Sequence, residues 1–185
     1  MTIKPIKKAF TPWEFQVYCK DFAKTQRSWK PSGVVLHNTA IPNLAKVQSY
    51  LDKSQWTFPQ LIDNWWVRYI KLGWPSGPHL FVMPDKIWLA TPLDIRGTHS
   101  PSFNKDYWGI EVVGDFSTEV MSKEHRLTTL SAIKSLYSIL GTKPTDKSFR
   151  FHGEDPRTSH KGCPGKNIHP KSGWIAELMN SYKEK

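Results

Sequence analysis

Val34-Val35-Leu36-His37-Asn38-Thr39-Ala40 follows the pair Ser32-Gly33 and opens with a short apolar run. A continuous apolar run of this length, bounded by turn-forming residues, is typical of a buried β-strand. We therefore predict a strand over residues 34–36 that ends at His37. A sheet can hold such a terminal side chain rigidly in place, so His37 is the first candidate functional residue.

The remainder of the chain mixes helical and strand patterns. Helices are predicted where apolar residues recur every three or four positions behind a capping residue. They begin at Pro12 behind the cap Thr11 and cover 43–51, 58–72, 122–140 and 173–182, while further strands are predicted over 79–83, 87–91 and 108–113. Strands mixed with helices predict an α/β (α+β) fold, in which helices flank a central mixed β-sheet.

The length of 185 residues suits a single domain spanning 1–185, with its core over about 32–182. The stretch 41–78 is long and rich in tryptophan. We predict that it is a helical insertion that shapes a cleft, although simple packing against the core explains the same pattern equally well.

The chain carries 26 Lys and Arg against 16 Asp and Glu, a formal net charge of +10. Such a charge favours polyanionic partners, including nucleic acid, anionic membranes and the bacterial cell wall. Because basic residues never run beyond a pair, a nucleic-acid-binding tail is disfavoured. The sequence has no 18-residue apolar run and no recognisable signal peptide, so we expect no membrane insertion and synthesis in the cytoplasm.

Two zinc-binding residue types occur in the segment 151–165, where His152 and Cys163 lie among Gly, Pro, Asp and Ser residues typical of a loop. Imidazole and thiolate are good zinc ligands, and a catalytic zinc takes three protein ligands with one position left open. His37 is the natural third ligand. Any one histidine alone is more often structural or solvated, and the sequence has seven: His37, His79, His99, His125, His152, His160 and His169.

Three motifs occur in a specific order: residues 34–40, then Gly109-Ile110-Glu111, then His152 followed by Lys161-Gly162-Cys163-Pro164-Gly165. Together they resemble the zinc amidases of the amidase-2 family, whose fold is shared by phage-type amidase lysins and peptidoglycan recognition proteins. The resemblance covers roughly 32–165. It implies an N-acetylmuramoyl-L-alanine amidase, which hydrolyses the amide between N-acetylmuramic acid and the L-alanine of the stem peptide in peptidoglycan.

The resemblance also implies roles for individual residues. His37, His152 and Cys163 match the ligands of one Zn²⁺ per chain. Glu111 matches the acidic residue that activates water, and Lys161 matches a lysine that stabilises the transition state. The implied partner is peptidoglycan or a released muropeptide. We expect a monomer, which acts on the cell wall if it is released or exported.

We assign three further residues to the substrate cleft, namely His99, His79 and Trp108. The chain departs from the family pattern beside one of them. Some phage members have a catalytic tyrosine immediately before the histidine on the second strand, whereas Pro78 precedes His79 here. Glu111 must therefore carry more of the proton transfer.

Simpler interpretations remain open for the individual residues. Glu111 and Lys161 also fit ordinary solvated positions. Cys163 is available in principle for a disulfide with Cys19, which is disfavoured if the thiolate binds metal. The acidic pair 154–155 lies within reach of a metal, but its place before Pro156 suits a turn better.

Two other functions compete with catalysis. A peptidoglycan-binding recognition module without catalytic activity would share the fold, but the presence of all three ligand types with Glu111 and Lys161 argues for hydrolysis. A basic nucleic-acid-binding domain with a structural zinc normally has four closed ligands, often in paired cysteines. The chain has no Cys-x-x-Cys pair, which disfavours that interpretation.

Overall fold

The computed structural model describes residues 2–168 and 170–183, which form a mixed β-sheet with helices on both faces. The strands are β1 (Lys8–Phe10), β2 (Gly33–Asn38), β3 (Leu80–Val82), β4 (Ile87–Leu89), β5 (Tyr107–Val112) and β6 (Phe149–Phe151). The helices are α1 (Pro12–Phe22), α2 (Leu44–Asp52), α3 (Phe58–Lys71), α4 (Lys123–Leu140) and α5 (Lys171–Asn180).

The six strands lie in the order β1-β4-β3-β5-β2-β6. β3, β5, β2 and β6 are parallel, while β4 is antiparallel to its two neighbours β1 and β3. This arrangement confirms the predicted mixed sheet. Because parallel strands end at the same edge of a sheet, the residues at the carboxyl ends of β2, β5 and β6 meet there.

A separate hydrophobic cluster covers each face of the sheet. The larger one contains Val34, Leu36, Trp108 and Ile110 together with residues of α1, α4 and α5. The smaller one packs α2 and α3 against the other face of the sheet. The stretch 41–78 thus contains the predicted helices, and core packing accounts for much of its apolar content.

Helix ends follow the capping residues read from the sequence. Thr11 and Glu14 form a capping box at α1, and the Ser122 hydroxyl accepts a hydrogen bond from the His125 N–H at the start of α4. Gly141 ends α4 with a φ of 65°, a left-handed conformation that glycine adopts without strain. These caps fix the helices that pack beneath the sheet.

Several predicted boundaries need correction. β2 continues one residue past His37, the two hairpin strands are shorter than expected, and the last helix lies at Lys171–Asn180 instead of 173–182. The core also extends before residue 32, because Phe15 and Cys19 lie one helical turn apart on the buried face of α1. Cys19 and Cys163 are both free thiols. Within the described residues, no helix is both long and apolar enough to cross a membrane.

Candidate functional site

Strand register brings the candidate residues together at one edge of the sheet. His37 on β2 is paired with Glu111 on β5. Leu36 is paired with Phe151, so His152 follows directly from the end of β6 beside His37. Since side chains alternate along a strand, His37 and Glu111 lie on the face opposite Leu36 and Ile110. The site is thus built on the ends of three parallel strands.

His37, His152 and Cys163 form a cluster in which one ligand atom of each lies within 4.8 Å of the others. The two imidazole centroids are 4.3 Å apart. Cys163 is held close because the Gly153 N–H donates to its carbonyl oxygen at 2.9 Å. A Cβ at Gly153 would lie only 2.4 Å from the Lys161 carbonyl oxygen, so this close approach requires glycine.

Burial controls the protonation of the cluster. It lowers the pKa of His152 to about 4 and the pKa of His37 well below its usual value, so both imidazoles are neutral and keep a lone pair. Burial, assisted by the negative charge of Glu111, raises the pKa of the Cys163 thiol to about 12. That thiol donates to the Asn38 side-chain oxygen at 3.2 Å. A cation held by the three side chains would favour the thiolate.

Glu111 presents an unsatisfied carboxylate next to this cluster. Its Oε1 lies 3.9 Å from His37 Nδ1, and its buried Oε2 has no hydrogen-bond partner among the described residues. Burial raises the pKa of Glu111 to about 8. A buried acid without a partner is costly for folding alone, so a role in binding or proton transfer explains it better.

The ammonium group of Lys161 is bonded to the backbone of its own loop. Its side chain is exposed, and its Nζ donates to the Asp155 carbonyl oxygen at 2.7 Å. It belongs to the same loop as Cys163, but its ammonium group is bonded to backbone and not to Glu111 or to the ligand cluster.

The three residues assigned to the substrate cleft have different surroundings. His99 is 3% exposed, and its Nδ1 lies 3.0 Å from His37 Nε2. His79 is fully buried: its Nδ1 accepts from the Gly109 N–H, and its Nε2 lies 2.9 Å from the Ile95 carbonyl oxygen. Trp108 is fully buried in the larger cluster. The cleft assignment is therefore wrong for Trp108, which points to the opposite face, and His79 serves packing.

Sequence reasoning missed two contributors to the site. Asp155 accepts hydrogen bonds from the Ser100 hydroxyl at 2.5 Å and from the Ser102 N–H at 2.9 Å, which ties the segment 99–104 to the loop of Cys163. Asp155 also accepts from the Arg157 N–H, in agreement with the turn expected before Pro156. Its link to Ser100 has no sequence signal, because the two residues are far apart in the chain.

The second residue that the sequence did not single out is Tyr69 on α3. Its ring stacks on Trp74 at a centroid distance of 5.0 Å. Burial and the charge of Glu111 raise the pKa of Tyr69 well above its usual value.

Of the seven histidines considered, His169 lies outside the described residues.

The sequence model described as N-acetylmuramoyl-L-alanine amidase (amidase-2) matches residues 27–166, well over half of the chain. Among curated proteins, none matches the sequence significantly.

Several solved structures share the fold. LysC, an N-acetylmuramoyl-L-alanine amidase from Clostridium intestinale, superposes with a TM-score of 0.63 at 24% identity, covering 84% of this chain and 91% of LysC. The Ph2119 endolysin from a Thermus scotoductus bacteriophage has a TM-score of 0.52 at 21% identity, with coverage of 84% and 89%. Peptidoglycan recognition protein-LE in complex with tracheal cytotoxin has a TM-score of 0.59 at 14% identity, with coverage of 97% and 88%.

Proposed function

The chain belongs to the N-acetylmuramoyl-L-alanine amidase (amidase-2) family, and on this premise we propose that it is a zinc-dependent peptidoglycan hydrolase. The bond cleaved is the amide between N-acetylmuramic acid and the L-alanine of the stem peptide. One observation carries the proposal: His37, His152 and Cys163 converge within 4.8 Å beside the buried carboxylate of Glu111.

The donor set fits a catalytic zinc. Two neutral imidazoles and one thiolate are ligands that zinc prefers, and three protein ligands leave a fourth position for water or substrate. When bound, zinc supplies Lewis acidity, which polarises an amide carbonyl and makes water acidic enough to attack near neutral pH. The chain provides the rigid strand ends that hold the donors.

Glu111 is the proposed general base. It takes a proton from the attacking water and delivers it to the amide nitrogen of the leaving L-alanine, so the C–N bond breaks with release of a neutral amine. Burial raises the pKa of Glu111 to about 8, which favours the protonated form that gives a proton to the leaving amine, and a cation held nearby would favour the carboxylate that takes the proton from water. Its Oε2, which has no partner among the described residues, is free to accept that proton.

Lys161 is proposed to offset the negative charge that develops on the carbonyl oxygen of the scissile amide. To do so, its ammonium group must exchange the Asp155 carbonyl for the substrate oxygen. The long side chain of an exposed lysine permits this rearrangement. His152 and Cys163 on the same loop keep the backbone of Lys161 close to the reaction.

Recognition without cleavage is the second candidate function, because the fold is shared with peptidoglycan recognition protein-LE, which is solved in complex with tracheal cytotoxin, a monomeric diaminopimelic acid-type peptidoglycan. The complete donor set favours hydrolysis, as does the Glu111 Oε2, which has no partner among the described residues. Either function supplies a peptidoglycan or muropeptide partner, which agrees with the basic charge of the chain.

Digestion of purified sacculi, followed by mass spectrometry, tests the proposal. Incubation with the zinc-loaded protein should release stem peptides with a free L-alanine amino group and leave lactyl carboxylates on the glycan, with no new reducing sugar ends. Protein stripped of metal by a chelator should be inactive and recover with added zinc. Binding to sacculi without any release of peptide would support the recognition module instead.

A further inference from the structure

Three groups form a continuous buried hydrogen-bonded chain behind the candidate metal ligands. His37 Nε2 lies 3.0 Å from His99 Nδ1, and His99 Nε2 lies 3.1 Å from the carbonyl oxygen of Tyr107. His37 is 2% exposed and His99 is 3% exposed. Both imidazoles are therefore shielded from water, and each hydrogen bond between these groups needs one donor and one acceptor.

The carbonyl at one end fixes the direction of every bond. A carbonyl oxygen only accepts, so His99 Nε2 must carry a hydrogen. A neutral imidazole carries one N–H, which leaves His99 Nδ1 as an acceptor and makes His37 Nε2 the donor. His37 Nδ1 is then left with a lone pair, on the nitrogen that faces Glu111 Oε1 at 3.9 Å.

We propose that His99 is a positioning residue that selects the tautomer of His37, so that Nδ1 of His37 is presented as a bare metal ligand. This inference rests on the proposed zinc site. It assigns the second imidazole nitrogen of a ligand to a defined partner, an arrangement that orients the ring and strengthens it as a donor.

The surroundings of His99 hold it in this geometry. A Cβ at Gly109 would lie 2.4 Å from His99 Cγ, so the ring packs directly on the backbone of β5. The Asn104 side-chain oxygen accepts hydrogen bonds from the N–H groups of His99 and Ser100. Ser100 in turn donates to Asp155, next to the loop that supplies His152 and Cys163. His99 thus links the ligand on β2 to the loop that carries the other two.

The tautomer can be measured on the zinc-free wild-type protein by long-range ¹⁵N–¹H correlation of the histidine rings. We expect His37 and His99 each to be protonated at Nε2 and bare at Nδ1. A His37 ring protonated at Nδ1, or one that exchanges freely between both tautomers, would overturn the proposal. The result depends on neither zinc nor turnover, so it is distinguishable from a failure of the proposed amidase activity.

Substitution tests the consequence for metal binding. His99→Asn keeps an acceptor at a position close to Nδ1, whereas His99→Leu removes it at similar volume. Zinc affinity, measured by competition with a chromophoric chelator, should fall by about 10- to 100-fold in His99→Leu and by much less in His99→Asn. His125→Leu removes another buried histidine, whose ring bonds to the Val82 carbonyl on a different strand, and it controls for general destabilisation.

The ring spectrum of His37 in the variants completes the test. His99→Asn should preserve the tautomer protonated at Nε2, and His99→Leu should lose it. Unchanged zinc affinity together with an unchanged tautomer in His99→Leu would refute the positioning role. If His99→Leu does not fold, the wild-type spectrum and the His99→Asn variant still decide the matter.

Discussion

Glu111 faces the ligand cluster with one carboxylate oxygen and leaves the other without a partner among the described residues. If Glu111 is the general base, the Glu111→Gln variant should still fold and bind zinc. Its turnover should fall by about 10²- to 10⁴-fold. Turnover can be followed by peptide release from sacculi. Glu124→Gln, at an exposed position on α4, is the matched control and should keep full activity. Near-normal turnover by Glu111→Gln would assign proton transfer to another group.

Cys163 is the candidate ligand that would have to lose a proton to bind zinc, since burial raises the pKa of its thiol to about 12. We expect Cys163→Ser to bind zinc far more weakly, because a hydroxyl is a poorer zinc ligand than a thiolate. Elemental analysis after dialysis should show much less than one zinc per chain. Cys19→Ala removes the other thiol, which is buried in the core, and should retain zinc. Full zinc occupancy in Cys163→Ser would remove this residue from the ligand set.

The sequence pointed to three residues that lie together in the structure, but it misplaced part of the cleft. His37 follows an apolar run, and His152 and Cys163 share a loop, so residue type and position pointed to all three. Trp108 and Glu111 belong to the same strand, and the sequence alone did not show which face each occupies. The alternation of Trp108, Ile110 and Val112 toward the larger cluster explains why Trp108 is buried.

Between elements, Asp155 joins the segment 99–104 to the loop of the ligands. Burial alone would raise its pKa, but hydrogen bonds from Ser100, Ser102 and Arg157 outweigh burial and lower the pKa to about 2. A carboxyl with a depressed folded-state pKa stabilises the fold above its unfolded pKa and loses that contribution as the pH falls through the folded value. Two pKa units correspond to about 2–3 kcal/mol.

Asp155→Asn should therefore flatten the decline in the free energy of unfolding between about pH 4 and pH 2. Urea titrations across this range compare the variant with the wild type. Asp85→Asn alters an exposed carboxyl and should keep the wild-type profile. If the free energy of unfolding of Asp155→Asn declines as steeply as that of the wild type, the link to Ser100 contributes little to stability.

The elements that the sequence did not reveal are the short edge strands. β1 has three residues, Lys8–Phe10, and exists because it pairs with β4. Phe149–Phe151 alternates as a strand should, but it borders a segment whose Gly and Pro content indicates a loop. Long helices such as α4 were predictable because many turns repeat the same apolar spacing and a cap marks each end.

The net charge of +10 attracts the protein to a polyanionic cell wall over a distance that depends on the salt concentration. Charges are screened over about 30 Å at 0.01 M salt and about 8 Å at 0.15 M. Binding to sacculi should therefore weaken as salt rises. The measurement is best made with Glu111→Gln, because a variant with strongly reduced turnover leaves the sacculi largely intact during a pull-down.

Charge reversal separates this long-range attraction from contacts in the groove. Lys20, Lys53 and Lys147 are exposed, and none of them belongs to the ligand cluster. Replacing all three with glutamate lowers the net charge by two for each substitution, from +10 to +4 in the wild-type chain. We expect this triple variant to bind sacculi several-fold more weakly at low salt and to match its parent at high salt, because screening removes the difference. The triple arginine variant keeps the charge and should behave as the parent at every salt concentration. Equal binding by the glutamate and arginine variants at low salt would mean that contacts near the ligand cluster, and not the field of the whole protein, supply the affinity.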